Sequence, residues 1–244
     1  MSFFDGLYQY EIIMLVAGTL LFLVSLILLI AFAITGKAIG KLFFLFVLSI
    51  VMIGFPSYSK IQISKDGVEL DKDTDSLLQN PTDKTTRDNV SSEVARLSAR
   101  RFADPAKLTQ LAKAQIALGD NASADQNVQK ALQVAPQDAA ALQLKNRLLL
   151  DRDLQQLTSK VEKDPNDQVA KGQLAQVVAE ATKVPIASPV TTVNLARAHA
   201  ALGNQAQAME STKKALQINP NLQEAITLQN RLKNSVSRPD AQIK

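Results

Sequence analysis

The sequence contains no cysteine and a single histidine in 244 residues. The first absence excludes a disulfide framework, thiolate metal sites and cysteine catalysis. The second leaves His199 without the companion ligands that a zinc site of ordinary composition needs, so His199 is read as a packing residue. No glycine-rich phosphate loop, paired-histidine zinc motif or nucleophile elbow occurs. Glu162 and Asp164 fall in a charged helix end and read as a solvated face rather than an acid–base pair. The formal charge is only +4, and there is no basic stripe or base-reading motif, so nucleic acid is not an expected partner. The reading is of a chain that is not an enzyme, with no cofactor, no metal and no small-molecule substrate.

The mean hydropathy is zero, but apolar residues are concentrated in the first 58 positions and the remainder is rich in Ala, Gln and Leu. Ile12 to Ile34 is an apolar run with only Thr19 and Ser25 as polar interruptions. That is long enough to cross a hydrocarbon core, which needs about 20 helical residues. The tail before it, Met1 to Tyr10, has no Lys or Arg, which argues against the basic leader of a cleaved secretory signal. Its aromatics, Phe3, Phe4, Tyr8 and Tyr10, suit a membrane interface. After a short connection, Thr35 to Lys41, a second span is expected over 39–57, so residues 1–58 read as a two-span hairpin with both chain ends on one side. Gly36 and Gly40 belong to that turn. Neither span carries an intramembrane charge, Lys41 reaching the headgroups from the edge of the second, so an ion or substrate pathway is not indicated. The lysines of the connection, Lys37 and Lys41, favour a cytoplasmic loop and an external repeat domain.

Residues 59–88 read as a juxtamembrane segment. Ile61 and Ile63, then Asp66-Gly67, then Val68 and Leu70 give a small β-hairpin at 60–70, followed by a polar linker. From 89 to 236 the pattern is helical, and 237–244 is a tail. Within the helical part, Phe102 to Leu148 matches Ile186 to Leu232 at an ungapped offset of 84: "LAKAQIALGD" falls on "LARAHAALGN", "KALQVAP" on "KALQINP", and Asn146-Arg147-Leu148 on Asn230-Arg231-Leu232. Asp104-Pro105 and Ser188-Pro189 supply matched N-caps with proline in the first turn. Helices are expected at about 106–118, 122–134, 138–150, 152–163, 167–183, 190–202, 206–218 and 222–236, the last as a solvating cap.

Leu111, Ala112, Gly119, Asp120, Ala124, Ala131, Leu132 and Pro136, matched by Leu195, Ala196, Gly203, Asn204, Ala208, Ala215, Leu216 and Pro220, resemble the tetratricopeptide repeat family. That family is a unit of about 34 residues with small residues where its two helices cross. The large aromatics usual in its first helix are missing here, and 139–183 departs from its pattern apart from Asp164-Pro165-Asn166. The resemblance implies an all-α fold: an N-terminal transmembrane helical hairpin followed by an α–α superhelical solenoid. It also implies protein partners bound along the face made by the first helix of each pair. Carried onto this sequence, that face comprises Thr109, Lys113 and Ile116 in one unit and Val193, Arg197 and Ala200 in the other, with Asn194 as a further partner-binding candidate.

The expected function is that of a membrane-anchored scaffold or adaptor for a protein partner, an accessory or assembly subunit of a membrane complex. A chaperone-like assembly factor for exported proteins, and an integral subunit of a membrane enzyme or channel complex, are the alternatives. The expected location is the bacterial inner membrane, with the lipid bilayer as a second partner and both termini and the repeat domain periplasmic.

Overall fold

A computed structural model describes residues 4–35, 40–183 and 188–236. Among the described residues there are ten helices and no strands. The Thr35–Lys41 connection lies largely, and the 237–244 tail wholly, outside them.

The first helix, α1 (Gln9–Thr35), has 27 residues, a length of about 40 Å at helical rise. It packs against the near half of α2 (Gly40–Gln79), and both are long and apolar enough to cross a membrane. The two approach closely at Gly18, where a Cβ would lie 2.9 Å from Met52 Cβ, and Phe22 and Phe46 pack ring to ring at 5.1 Å. Their outward faces, including Ile13, Leu20, Ile27 and Phe44, are exposed.

The expected β-hairpin at 60–70 is not formed, because α2 runs without a break through this stretch to Gln79. Ile63, Leu70 and Leu77 recur every seventh residue and are all buried, as is Thr74. They form a stripe that packs against Val90 and Leu97 of α3 (Lys84–Ser98) and against Leu111 of α4 (Pro105–Leu118). Ile61 and Val68, which completed the strand-like alternation, point outward. Burial of one seven-residue stripe thus outweighs a local turn signal of two residues. Gly67 sits inside the helix, and its carbonyl accepts a hydrogen bond from Gln110 Nε2 at 2.5 Å.

The remaining helices are α5 (Asn121–Val134), α6 (Ala139–Lys163), α7 (Gln168–Ala181), α8 (Pro189–Ala201), α9 (Gln205–Ile218) and α10 (Gln223–Val236). The two helices expected at 138–150 and 152–163 are one continuous α6, since nothing at the junction breaks a helix. Asp104 caps α4 by accepting from the Ala106 amide at 3.0 Å. Ser188 takes the equivalent place without a side-chain bond to α8. Gly119 and Gly203 end the first helix of each matched pair at φ +94° and +81°. That left-handed conformation strains any residue with a Cβ.

The 84-residue period reaches farther than the sequence match. Asp83 caps α3 and Asp167 caps α7, each after a turn of the form Asn80-Pro81-Thr82 or Asp164-Pro165-Asn166. The preceding helices end at Gln79 and Lys163. Leu70, Thr74 and Leu77 of α2 correspond to the buried Leu154, Thr158 and Val161 of α6. The distal half of α2 with α3, α4 and α5 is therefore one four-helix module. The set α6 to α9 is a second, and α10 packs on the latter as the start of α6 packs on the former. A helix long and apolar enough at its near end to cross a membrane thus doubles as the first helix of the repeat stack.

The N-terminal residues fasten the base of this stack. Arg100 donates to the Gly6 carbonyl at 3.1 Å and to Glu11 Oε2 at 3.4 Å, and lies 4.7 Å over the Tyr8 ring. The Ala103 amide donates to Asp5 Oδ1 at 2.5 Å, and Lys60 donates to the Asp5 carbonyl. Glu11 is 1% exposed, and Arg100 is its ion-pair partner.

Candidate partner-binding surface

Two clefts, related by the same offset, lie beside the first helix of each matched pair. The nearer, with a cavity volume of about 600 Å³, opens between α2, α4 and α6 and is lined by Leu78, Thr109, Lys113, Gln143, Leu144 and Arg147, among others. The farther, of about 270 Å³, lies between α8 and α10 and is lined by Arg197, Thr227, Leu228 and Arg231 with Gln223 and Glu224. Lys113 and Arg147 in one stand where Arg197 and Arg231 stand in the other. Each cleft therefore has an apolar leucine between two basic side chains.

Acidic residues of the preceding long helix already face these charges. Lys113 Nζ is 2.6 Å from Asp75 and 3.7 Å from Asp71 on α2. Arg197 is 2.9 Å and Arg231 3.9 Å from Glu162 on α6. These pairs are partly solvated, and such pairs contribute only about 0–1 kcal/mol, so a carboxylate from outside would exchange with them at little cost. Arg147 Nη2 and Thr109 Oγ1 are buried without a hydrogen-bond partner.

The residues expected along this face divide. Lys113 and Thr109 border the first cleft, and Arg197 borders the second. Ile116, 1% exposed, packs with Ala112, Val128 and Leu148. Val193, fully buried, packs with Ala208, Ala225 and Leu228. Asn194 is also buried, with its amide nitrogen unpartnered. The physical reason is rotation: positions three and four apart drift around a helix at 3.6 residues per turn, and residues flanking a small-residue seam turn into it. Sequence reasoning missed Arg147 and Arg231, although the matching Asn-Arg-Leu triplets had already paired them.

His199 is buried on α8, and that burial holds its imidazole below its usual pKa while Glu210 opposes the shift. Its Nδ1 has no hydrogen-bond partner. Among the described residues no group of three or more His, Asp or Glu side chains converges as a metal site would require. Asp151, 3% exposed, is a second buried charge. It accepts from Thr191 Oγ1 at 2.6 Å and Asn121 Nδ2 at 3.0 Å. Burial pushes its carboxyl up, against the pull of Thr191, Arg147 and Asn121. This arrangement ties α5, α6 and α8 together and leaves no open face for chemistry.

Comparison with known proteins gives one family. Residues 108–138 and 193–222 match the tetratricopeptide repeat. No curated protein and no solved structure matches the chain. The two matched segments coincide with α4–α5 and α8–α9 and carry the left-handed glycines and the alanine crossings described above. Each of the two four-helix modules thus carries one helix pair that matches the tetratricopeptide repeat.

Proposed function

We propose that the protein is a membrane-anchored scaffold whose repeat domain binds an acidic segment of a protein partner, a subunit of a membrane complex. The observation that carries this reading is the repetition of one cleft, a leucine between two basic side chains, at equivalent places in the two modules. Two equivalent clefts on one chain favour an extended partner that engages both, and tethering raises the effective concentration of such a surface near other membrane proteins. The two apolar helices support an integral membrane location. The contacts of Asp5, Gly6 and Glu11 with Arg100 and Ala103 support placing the N-terminus and the repeat domain on the same side. With the lysines of the short connection taken as cytoplasmic, the repeat domain is periplasmic in a bacterial inner membrane.

Photo-crosslinking tests this directly. A photoreactive side chain at exposed Gln143, and separately at exposed Thr227, is expected to capture the same protein in intact membranes. Lys113→Gln with Arg197→Gln is expected to lower both yields about tenfold, the equivalent of 1.4 kcal/mol, while the chain stays membrane-inserted. Capture of different proteins at the two positions, or an unchanged yield in the double variant, would remove the groove assignment. Labelling of a cysteine placed at Lys37 compared with one at Lys244 checks the orientation.

A further inference from the structure

We infer that the cleft between α3, the α3–α4 connection and α5 is a binding site for the phosphate of an anionic phospholipid headgroup, in the leaflet that the repeat domain faces. The inference rests on the membrane reading of α1 and α2. The cleft encloses about 590 Å³ and is lined by Arg100, Arg101, Gln126, Asn127 and Lys130, with Asp120 as its carboxylate. Its position follows from Arg100, which lines the cleft and also holds Glu11, the residue directly before the apolar run from Ile12. Tyr8 and Tyr10, stacked at 5.6 Å, lie at the same level, as aromatic side chains do at a headgroup layer.

Charge then distinguishes this cleft from its own copy. At the equivalent place in the second module, Lys214 is bonded to Glu210 at 2.7 Å. In the membrane-proximal module Lys130 stands where Lys214 does, but Gln126 replaces the glutamate. Lys130 and Arg101 are both exposed and, among the described residues, neither has an acidic partner within ion-pair distance. The carboxylate of Asp120 is engaged in capping, accepting from the Ser123 amide at 3.1 Å. The module nearest the bilayer thus keeps an unneutralised Arg–Lys pair at Arg101 and Lys130, where the distant module pairs Lys214 with Glu210 and has Lys183 beside it. A guanidinium and an ammonium converging on one space match a phosphate's several acceptor oxygens. Basic pockets at the membrane surface take lipid headgroups on the same principle.

The test uses the full chain purified in mild detergent, with retained lipid counted by native mass spectrometry after mixing with equal phosphatidylglycerol and phosphatidylcholine. The wild type is expected to retain phosphatidylglycerol preferentially. Gln126→Glu, which restores the arrangement of the second module and so preserves the fold, is expected to lower that preference about fivefold, the effect of one interfacial charge. Arg101→Gln with Lys130→Gln should abolish it. Equal retention by the wild type and Gln126→Glu would overturn the inference. Displacement of the lipid by millimolar inorganic phosphate, with no preference between lipids, would overturn the lipid source and leave a free-anion site. Carbonate extraction of native membranes separates this result from the underlying reading. A chain that resists extraction yet shows no lipid preference refutes only the headgroup site, whereas a chain that extracts refutes the membrane anchor as well.

Discussion

Glu93 shows what one residue does to this fold. It lies on the buried stripe of α3, 5% exposed, with Oε2 unpartnered. Asp66, Glu69 and Asp73 of α2 act on it, and only Arg96 of its own helix opposes them. Burial first, then Asp73, pushes its carboxyl up to about 7 from 4.5. A folded-state value above the unfolded one means that the native chain binds the proton more tightly. The contribution of Glu93 to stability is therefore greatest below about pH 4.5, falls as pH rises through 7 and is level above that. The shift corresponds to up to about 3 kcal/mol. Hydrogen exchange of α3 amides in the full chain, corrected for intrinsic rates, should show protection declining from pH 5 to pH 8. Val177 occupies the equivalent place in α7, so Glu93→Val should flatten the profile and raise protection at pH 8. The same decline in Glu93→Val would remove the assignment.

At the scale of the element, α2 is decisive because one helix of 40 residues belongs to both the apolar N-terminal hairpin and the repeat stack. Orientation is carried along a rigid rod rather than across a linker. Two alanines inserted after Tyr58 would rotate the distal half by about 200° against the spans at 100° per residue. They would leave the Ile63, Leu70 and Leu77 stripe intact. The expected outcome is an inserted, folded protein in which Arg100 no longer reaches Glu11. Cysteines at Asp5 and Ala103, joined by a short bismaleimide in the parent chain, should fail to cross-link in the insertion variant. Persistent cross-linking would mean that α2 bends to absorb the insertion.

The same helix marks how far the sequence could be read. The two long apolar helices were legible because each contains an extended apolar run. The α4–α5 and α8–α9 pairs were legible because Gly119, Gly203 and the crossing alanines recur at one offset. Ile61 to Leu70 was misread because a local turn signal was weighed without the stripe at 63, 70 and 77, whose partners Val90, Leu97 and Leu111 are distant in sequence. The section 139–183 looked divergent because its counterpart, 55–99, begins inside the long apolar helix α2 and continues through α3. The signal for it, Asn-Pro-Thr-Asp at 80–83 against Asp-Pro-Asn-Asp at 164–167, was present throughout. The buried Ile116 and Val193 depended on exact helix rotation, which composition does not fix.

Across the whole molecule, the two modules meet chiefly on α6, which contacts α4 and α5 on one side and α8 on the other. Asp151 lies at that joint, where Gly67 stands in the first module. It gathers Asn121 from α5 and Thr191 from α8 onto one carboxylate beside Arg147. Stacked repeats are stabilised by their own packing and by nearest-neighbour interfaces, so weakening one interface separates units that otherwise unfold together. Asp151→Ala removes the shared acceptor and leaves Thr191 and Asn121 without it, a loss of about 1–3 kcal/mol for each donor left unsatisfied. Asp151→Asn keeps an acceptor for both donors and should cost less. The chain contains no tryptophan, so single reporters can be placed at the exposed Val134 in one module and Gln217 in the other. In the parent background their denaturation curves should coincide. In Asp151→Ala they should separate, with the α6–α10 half melting first because it lacks the packing of α1 that holds α2. Coincident curves in Asp151→Ala would mean that the modules are joined by the apolar contacts of α6 alone.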